Sequence, residues 1–340
     1  MSVLWHEFAE FYAVTVSAFI RYVLSAVTGF FSLSLAEIIV LILPLAVIVI
    51  AFLLILLFFK NKQKFKILLR ITISLLLLIF SLFANIFGVC YFRKPVDISM
   101  DFAVKKLNRE EMYLSTDFIK KELESTLDNV LFTKVGSSHN KLSWRELDNA
   151  VDTGFDNLRN NYTFISDIKS LPKKVLLSEY MTYTHISGVY FPFTGEANIN
   201  TNYPDYVVAF TVAHEKAHQR GIASEDEANF IAFLACLYSD DDYLRYCALM
   251  NMYDYYLDSI YAVDKEMYDY FIRNTDIRVL MEMKSYSDFF DKYRSSKASK
   301  VADTVNDTYI KAMGDINGVN SYGKVVELVS GYINKNNGLP

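Results

Sequence analysis

The chain is 340 residues long, with 52% hydrophobic and 21% charged residues, and its 34 Lys+Arg against 39 Asp+Glu leave a formal net charge of −5. That acidic balance argues against a nucleic-acid partner, which calls for a basic domain or stripe. Three scattered cysteines (Cys90, Cys236, Cys247) exclude a disulfide scaffold, and 12 Gly with 6 Pro exclude a fibrous or disordered chain.

Residues 8–32 are apolar but carry Arg21 midway and Glu10 near the start. A span here would bury Arg21 at bilayer depth at high cost. Residues 1–34 therefore read as an amphipathic helix lying on the outer face of a membrane. No basic n-region opens the chain, so a cleaved signal peptide is not expected. Residues 38–59 and 71–92 are uncharged runs of 22 residues each. At about 1.5 Å per residue, each is long enough for a hydrocarbon core of about 30 Å. Residues 35–92 thus read as two transmembrane helices, with Pro44 in the first tolerated by packing. Between them, Lys60, Lys62, Lys64, Lys66 and Arg70 make a short basic loop over 60–70, which the positive-inside rule assigns to the cytoplasm. The chain reads as a multi-pass protein of the cell membrane, in contact with the lipid bilayer. Its N-terminus and residues 93–340 face outward.

Residues 93–340 have the length for one substantial core and read as mainly α with a small β-sheet. Apolar residues recur at helical spacing from Asp101 to Leu131. Ser143-Trp-Arg-Glu146 is a capping-box pattern that opens a helix running to about Arg159. Residues 173–201 are rich in β-branched and aromatic side chains and read as short strands, over 174–184 and 188–193, with Pro192 placing the second at a sheet edge. From Asp205 onward the pattern is helical almost to the end. The 24 Tyr and 26 Phe read as packing residues. Ser239–Asp242 reads as a solvated helix start, since the ligand spacing of a calcium loop is absent. An outward location permits a disulfide, but the spacing of Cys236 and Cys247 leaves their pairing open.

Residues 211–230 carry the chemistry. His214 and His218, four apart on a helix, present both imidazoles on one face and can reach a single Zn2+ at about 2.0–2.1 Å. Glu215 follows the first histidine and is placed to act as general base toward water. Lys216 should point away from the metal. Gly221 should end the helix in the left-handed region, and Ser224 with Glu227 reads as a capping box that opens the next helix. That helix should supply a third ligand, with Glu225, Asp226 and Glu227 as candidates. Glu227 has a competing job in the cap. Glu225 shares a face with Asn229, so Glu225 is preferred as the ligand and Asn229 as a group that holds an imidazole.

His214-Glu-x-x-His218-x-x-Gly221 with Glu225-x-x-Ala-Asn229 resembles the gluzincin branch of zinc metallopeptidases. In the CAAX-prenyl-protease relatives the helix after HExxH supplies Glu in a Glu-x-x-Ala-Asp pattern. Here Asn229 replaces that Asp, and the gap between His218 and Glu225 is much shorter. Along most of its length the chain more closely resembles an uncharacterised family of bacterial membrane proteins, catalogued as a domain of unknown function within the zincin group. The shared features are an outer N-terminal helix, two spans, the segment Ser187 to Asn198, HExxHQRG, Asn306-Asp-Thr-Tyr309 and Ser321-Tyr-Gly323.

The resemblance implies an α+β zincin-like metallopeptidase domain and supplies no substrate. Zincins hold substrate as an added strand on the sheet edge above the metal, which points to Val189, Tyr190 and Phe191. Many also use a downstream Tyr or His to stabilise the tetrahedral intermediate, which singles out Tyr322 ahead of Tyr309. His185 and Glu196 flank the strand, and His185 reads as a structural histidine, with an oxyanion contact as the alternative. The expected activity is that of a membrane-anchored zinc endopeptidase acting on a peptide or protein near the membrane. The alternative is a catalytically inactive zincin-fold binding or assembly protein. A sensor is disfavoured by the short cytoplasmic loop, and an intramembrane protease by the charged surroundings of HExxH.

Overall fold

The computed structural model describes residues 3–294, 300, 304 and 322–340. Helices α1 (Val3–Tyr12) and α2 (Ala18–Gly29) continue one another through a π-helical turn (Ala13–Ser17). Ala9, Ala13, Ser17, Arg21, Ser25 and Thr28 form one buried stripe along them. The opposite stripe, with Phe8, Phe11, Phe19, Tyr22 and Val27, is exposed. The spacing of both sets is that of two faces of one helix.

Helices α3 (Leu35–Lys60) and α4 (Lys62–Ile86) form a hairpin. Asn61 alone turns the chain, and its side chain accepts from Lys64 N at 2.9 Å, capping α4. The basic run is therefore not a loop over 60–70. Because one capping Asn closes the hairpin, Lys62, Lys64, Lys66 and Arg70 lie within the first turns of α4. Among the described residues, three helices are long and apolar enough to cross a membrane: Trp5–Gly29, α3 and α4. The sequence reading counts two. It sets the first aside because of Arg21, yet that side chain is fully buried against protein.

The rest of the chain is mainly helical around a small sheet. Helices α5 (Val96–Ser99), α6 (Arg109–Thr126) and α7 (Trp144–Arg159) come first. Asn108 and Glu111 close a capping box that fixes the start of α6, so 101–108 lie outside the helix expected there. Ser143 and Glu146 form the anticipated box at α7. Strand β1 (Lys173–Lys174) is short and is followed by helix α8 (Ser178–Thr182), where the sequence pattern reads as strand. The reason is a long-range contact: the Glu37 carboxylate takes the amides of Leu176 and Leu177, each at 2.9 Å, away from any ladder. Strands β2 (Gly188–Phe191) and β3 (Glu196–Ile199) complete a sheet of order β1-β3-β2, with β1 parallel and β2 antiparallel to β3. Strand β2 is thus an edge, as Pro192 implies.

Helices α9 (Asp205–Gln219), α10 (Glu225–Leu237), α11 (Asp242–Tyr261), α12 (Lys265–Arg273), α13 (Ile277–Phe290) and α14 (Tyr322–Asn336) follow. Phe155 of α7, Phe230 and Phe233 of α10, and Tyr246, Leu249 and Tyr256 of α11 are fully buried in one core. At Gly154 a Cβ would lie 1.9 Å from the Ala235 carbonyl, so only glycine lets α7 approach α10 this closely. Asp241 caps α11 by accepting from Leu244 N at 2.9 Å, the helix-start role read for the acidic run. Cys236 and Cys247 are buried free thiols and do not pair.

Candidate metal centre

Helix α9 ends in a Schellman turn. Gly221 N donates to His218 O at 2.9 Å, Ile222 N donates to Ala217 O at 3.1 Å, and Gly221 has φ +92°. The turn also orients a candidate ligand. His218 Nδ1–H donates to the Ile222 carbonyl at 2.7 Å, which leaves the lone pair on Nε2 facing the site. Two arginines hold the turn from outside α9. Arg21 donates to Gln219 O and Arg93 to Gly221 O, both at 2.8 Å, satisfying carbonyls that the helix end leaves open. Arg93 is in turn paired with Glu10 at 2.7 Å.

The chain re-enters helix at Glu225. Ser224 has the extended backbone of an N-cap, but its side chain makes no capping bond. Glu227 does not close the expected box. Its carboxylate instead accepts from Val96 N at 2.9 Å, because the chain leaving α4 passes over the start of α10. Asp226 lies 3.4 Å from Lys324 Nζ of α14. Of the three acids, Glu225 alone meets the histidines.

His214 Nε2 and His218 Nε2 are 3.0 Å apart, and Glu225 Oε2 lies 3.2 Å from the first and 3.5 Å from the second. These three form a His/Glu cluster able to hold a metal ion. A tetrahedral ion with arms of about 2.0–2.1 Å has ligand–ligand edges of about 3.3–3.4 Å. The observed triangle fits that size, and two imidazoles with one carboxylate suit zinc. In the metal-free protein burial opposes ionisation of Glu225, yet the imidazoles outweigh it and hold its carboxyl well below the usual range. Burial likewise favours neutral His218, yet the Glu225 carboxylate outweighs it and raises the ring to about 9.

Glu215 sits beside the cluster, 4% exposed. Burial raises its pKa against the favourable field of His214 and His218, and it accepts a backbone hydrogen bond from Tyr190 of β2. Its Oε2 and His214 Nδ1 are buried without a hydrogen-bond partner among the described residues, two open polar atoms at one site. Gly188 permits the contact with β2: a Cβ there would lie 2.6 Å from Glu215 Oε1 and 2.6 Å from Thr211 Cγ2. Lys216 points away, as the helical spacing implies. It is fully buried and pairs with Asp148 and, at 2.8 Å, with Asp152 of α7, while Arg220 pairs with Asp152 at 2.6 Å.

The other residues singled out from sequence fall as follows. Asn229 is half-buried one turn after Glu225, and no hydrogen bond among the described residues joins it to either imidazole. Ile222 O holds His218 instead. Val189 is 43% exposed on the edge strand. The Tyr190 ring is buried among Ala13, Phe87, Cys90 and Ala223, so it contributes backbone to the edge rather than a free side chain. Phe191 is half-buried, with its ring 5.5 Å from that of Phe193. His185 has φ +60° and its Nε2 donates to Tyr293 O at 3.0 Å, away from the metal cluster. Glu196 is 1% exposed and accepts from the amides of Leu35 and Ala36 at the start of α3. Tyr322 opens α14, two residues before Lys324, but its side chain lies outside the described residues, as does Tyr309.

A family model matches residues 12–330 of the chain. The chain belongs to the family described as "Protein of unknown function (DUF3810)". No curated protein and no solved structure matches it. Sequence reasoning missed three site residues in this DUF3810 chain. Gly188, Arg21 and Arg93 act through close approach or long-range hydrogen bonds, and only a glycine within a strand run and an arginine within an apolar helix signalled two of them.

Proposed function

We propose that the protein is a membrane-anchored zinc metallopeptidase. The observation that carries this reading is the convergence of His214 Nε2, His218 Nε2 and Glu225 Oε2 to within 3.0–3.5 Å of one another beside the buried carboxylate of Glu215. His214, His218 and Glu225 hold the zinc, which when bound acts as a Lewis acid on water and on the scissile carbonyl. Glu215 takes a proton from the attacking water and delivers it to the leaving amine nitrogen. The raised pKa of Glu215 suits the first of these transfers, since a carboxylate disfavoured by burial is the stronger base and takes the proton of water more readily. The Tyr190 amide fixes one oxygen of Glu215 and leaves the other for the proton.

The hairpin α3–α4 spans the bilayer. The basic first turns of α4 lie in the cytoplasm and the domain after α4 lies outside. The joined helices α1 and α2 lie in the outer interface, aromatic stripe toward lipid and polar stripe against protein, so the protein crosses twice. The test is hydrolysis of a mixed-sequence peptide pool by the full-length zinc-loaded protein, with Glu215→Gln as control. Cleavage by the wild type alone supports the reading. Equal cleavage, or none by a zinc-loaded wild type, removes it and leaves the zincin-like binding protein.

A further inference from the structure

We propose that the substrate is a membrane-anchored polypeptide cut within a few residues of the bilayer surface, docked along the free edge of β2. This rests on the peptidase reading above. Among the described residues, β2 pairs only with β3. Asn200 N donates to Ser187 O at 2.9 Å, so alternation along the strand turns the backbone of Ser187, Val189 and Phe191 toward β3 and that of Gly188 and Tyr190 outward. The outward amide of Tyr190 already meets Glu215, so the open edge and the general base adjoin.

The same small sheet is fastened to the head of a membrane helix. Glu196 of β3 accepts from Leu35 N at 3.1 Å and Ala36 N at 2.8 Å, and Ser34 Oγ donates to Asn198 Oδ1 at 2.6 Å. The exit of the second membrane helix lies against the metal ligands. The ring of Phe87, next after α4, is 5.2 Å from Tyr190 and 6.1 Å from His218. Phe83 within α4 lies 6.5 Å from Phe193, just beyond β2. Both ends of the hairpin that face the domain therefore touch the strand pair that a substrate would extend. The aromatic stripe of α1 and α2 is exposed as well, as are Tyr180 and Leu176, whose amide meets Glu37 of α3.

Strands lie about 4.7–4.9 Å apart, so an added strand beside β2 runs roughly 10 Å from β3, the strand that the head of α3 contacts. Extended chain covers that distance in about three residues at about 3.3 Å each. A polypeptide emerging from the lipid can reach the edge without leaving the surface, and its anchor holds it there at high effective concentration. A peptide free in solution has no such advantage.

The experiment uses the full-length protein in liposomes with zinc bound. Mixed-sequence peptides carry an acyl anchor separated from the random region by 2, 6, 12 or 20 residues, alongside the same peptides without an anchor. The expected result is cleavage of the shortest-spacer pools at least roughly tenfold faster than of the longest-spacer and unanchored pools, absent in Glu215→Gln. Equal rates for anchored and free peptides, or fastest cleavage with the longest spacer, overturn the proposal and leave the peptidase reading standing. No cleavage of any pool overturns both.

Discussion

Arg21 separates two placements of the first helix, and its replacement by leucine gives them opposite signs. In this structure the guanidinium is fully buried and donates to the carbonyls of Gln219 and Ala13, both at 2.8 Å, and to Ser17 Oγ at 3.3 Å. Hydrogen bonds to a charged group are each worth about 1.5–3 kcal/mol, and Arg21→Leu leaves both carbonyls buried. Leucine refills much of the volume, so the net loss comes to about 3–5 kcal/mol. A lipid-facing arginine in a third span would behave in the opposite way, since exchanging it for leucine would favour insertion by about 3 kcal/mol. The chain has two tryptophans, and Trp5 packs on Phe8 and Phe92 with ring centroids at 5.8 and 6.3 Å. In a Trp144→Phe background, Trp5 fluorescence during urea titration in nanodiscs reports release of α1 from the domain. The predicted outcome is a markedly lower midpoint for Arg21→Leu. An unchanged or higher midpoint refutes the buried clamp.

Other consequences are as direct. Gly188→Ala pushes Glu215 from its place, so peptide hydrolysis should fall roughly 10–100-fold while zinc content by atomic emission stays at the wild-type value; loss of zinc would show that β2 shapes the ligands too. Lys216→Met strands the carboxylate of Asp148 inside the α7–α9 contact, leaves Asp152 to Arg220 alone, and should cost about 3–5 kcal/mol, read as a lowered thermal midpoint; a neutral result would mean that this network is dispensable. Zinc affinity should climb by about tenfold per pH unit up to about pH 9, because His218, raised to about 9, must release its proton to bind. By the same shift the metal-free protein holds a stabilising contribution fully below about pH 6.5 and loses it as pH rises through about 9. A flat zinc affinity between pH 6 and 8 would contradict the assignment. All three cysteines are buried and free, so all three thiols should react with a thiol reagent after denaturation and none beforehand, and reductant should leave the thermal midpoint unmoved.

The parts of the fold that were readable in the sequence are those set by local rules. The box at Ser143 and Glu146, the left-handed Gly221 and the edge character of β2 follow from one or two residues each. The opposed faces of His214 and Lys216 follow from helical spacing alone. The misread parts depend on residues distant along the chain. Glu227 spends its carboxylate on Val96, which lies 131 residues away. The amides of 176 and 177 turn to Glu37, 139 and 140 residues earlier. Arg21 reads from sequence only as a charge within an apolar helix, and the carbonyl of Gln219 that it holds lies 198 residues away. His218 is oriented by a backbone carbonyl rather than by Asn229, and no side-chain pattern encodes such a contact.

The central claim is a single zinc held by His214, His218 and Glu225, and metal stoichiometry of the purified full-length protein tests it most directly. Folded wild type prepared without chelator should carry about one zinc per chain, as a site with three protein ligands and one open position does, and His218→Ala and Glu225→Ala should each lose it. Zinc retained by Glu225→Ala, or absent from folded wild type, would contradict the account.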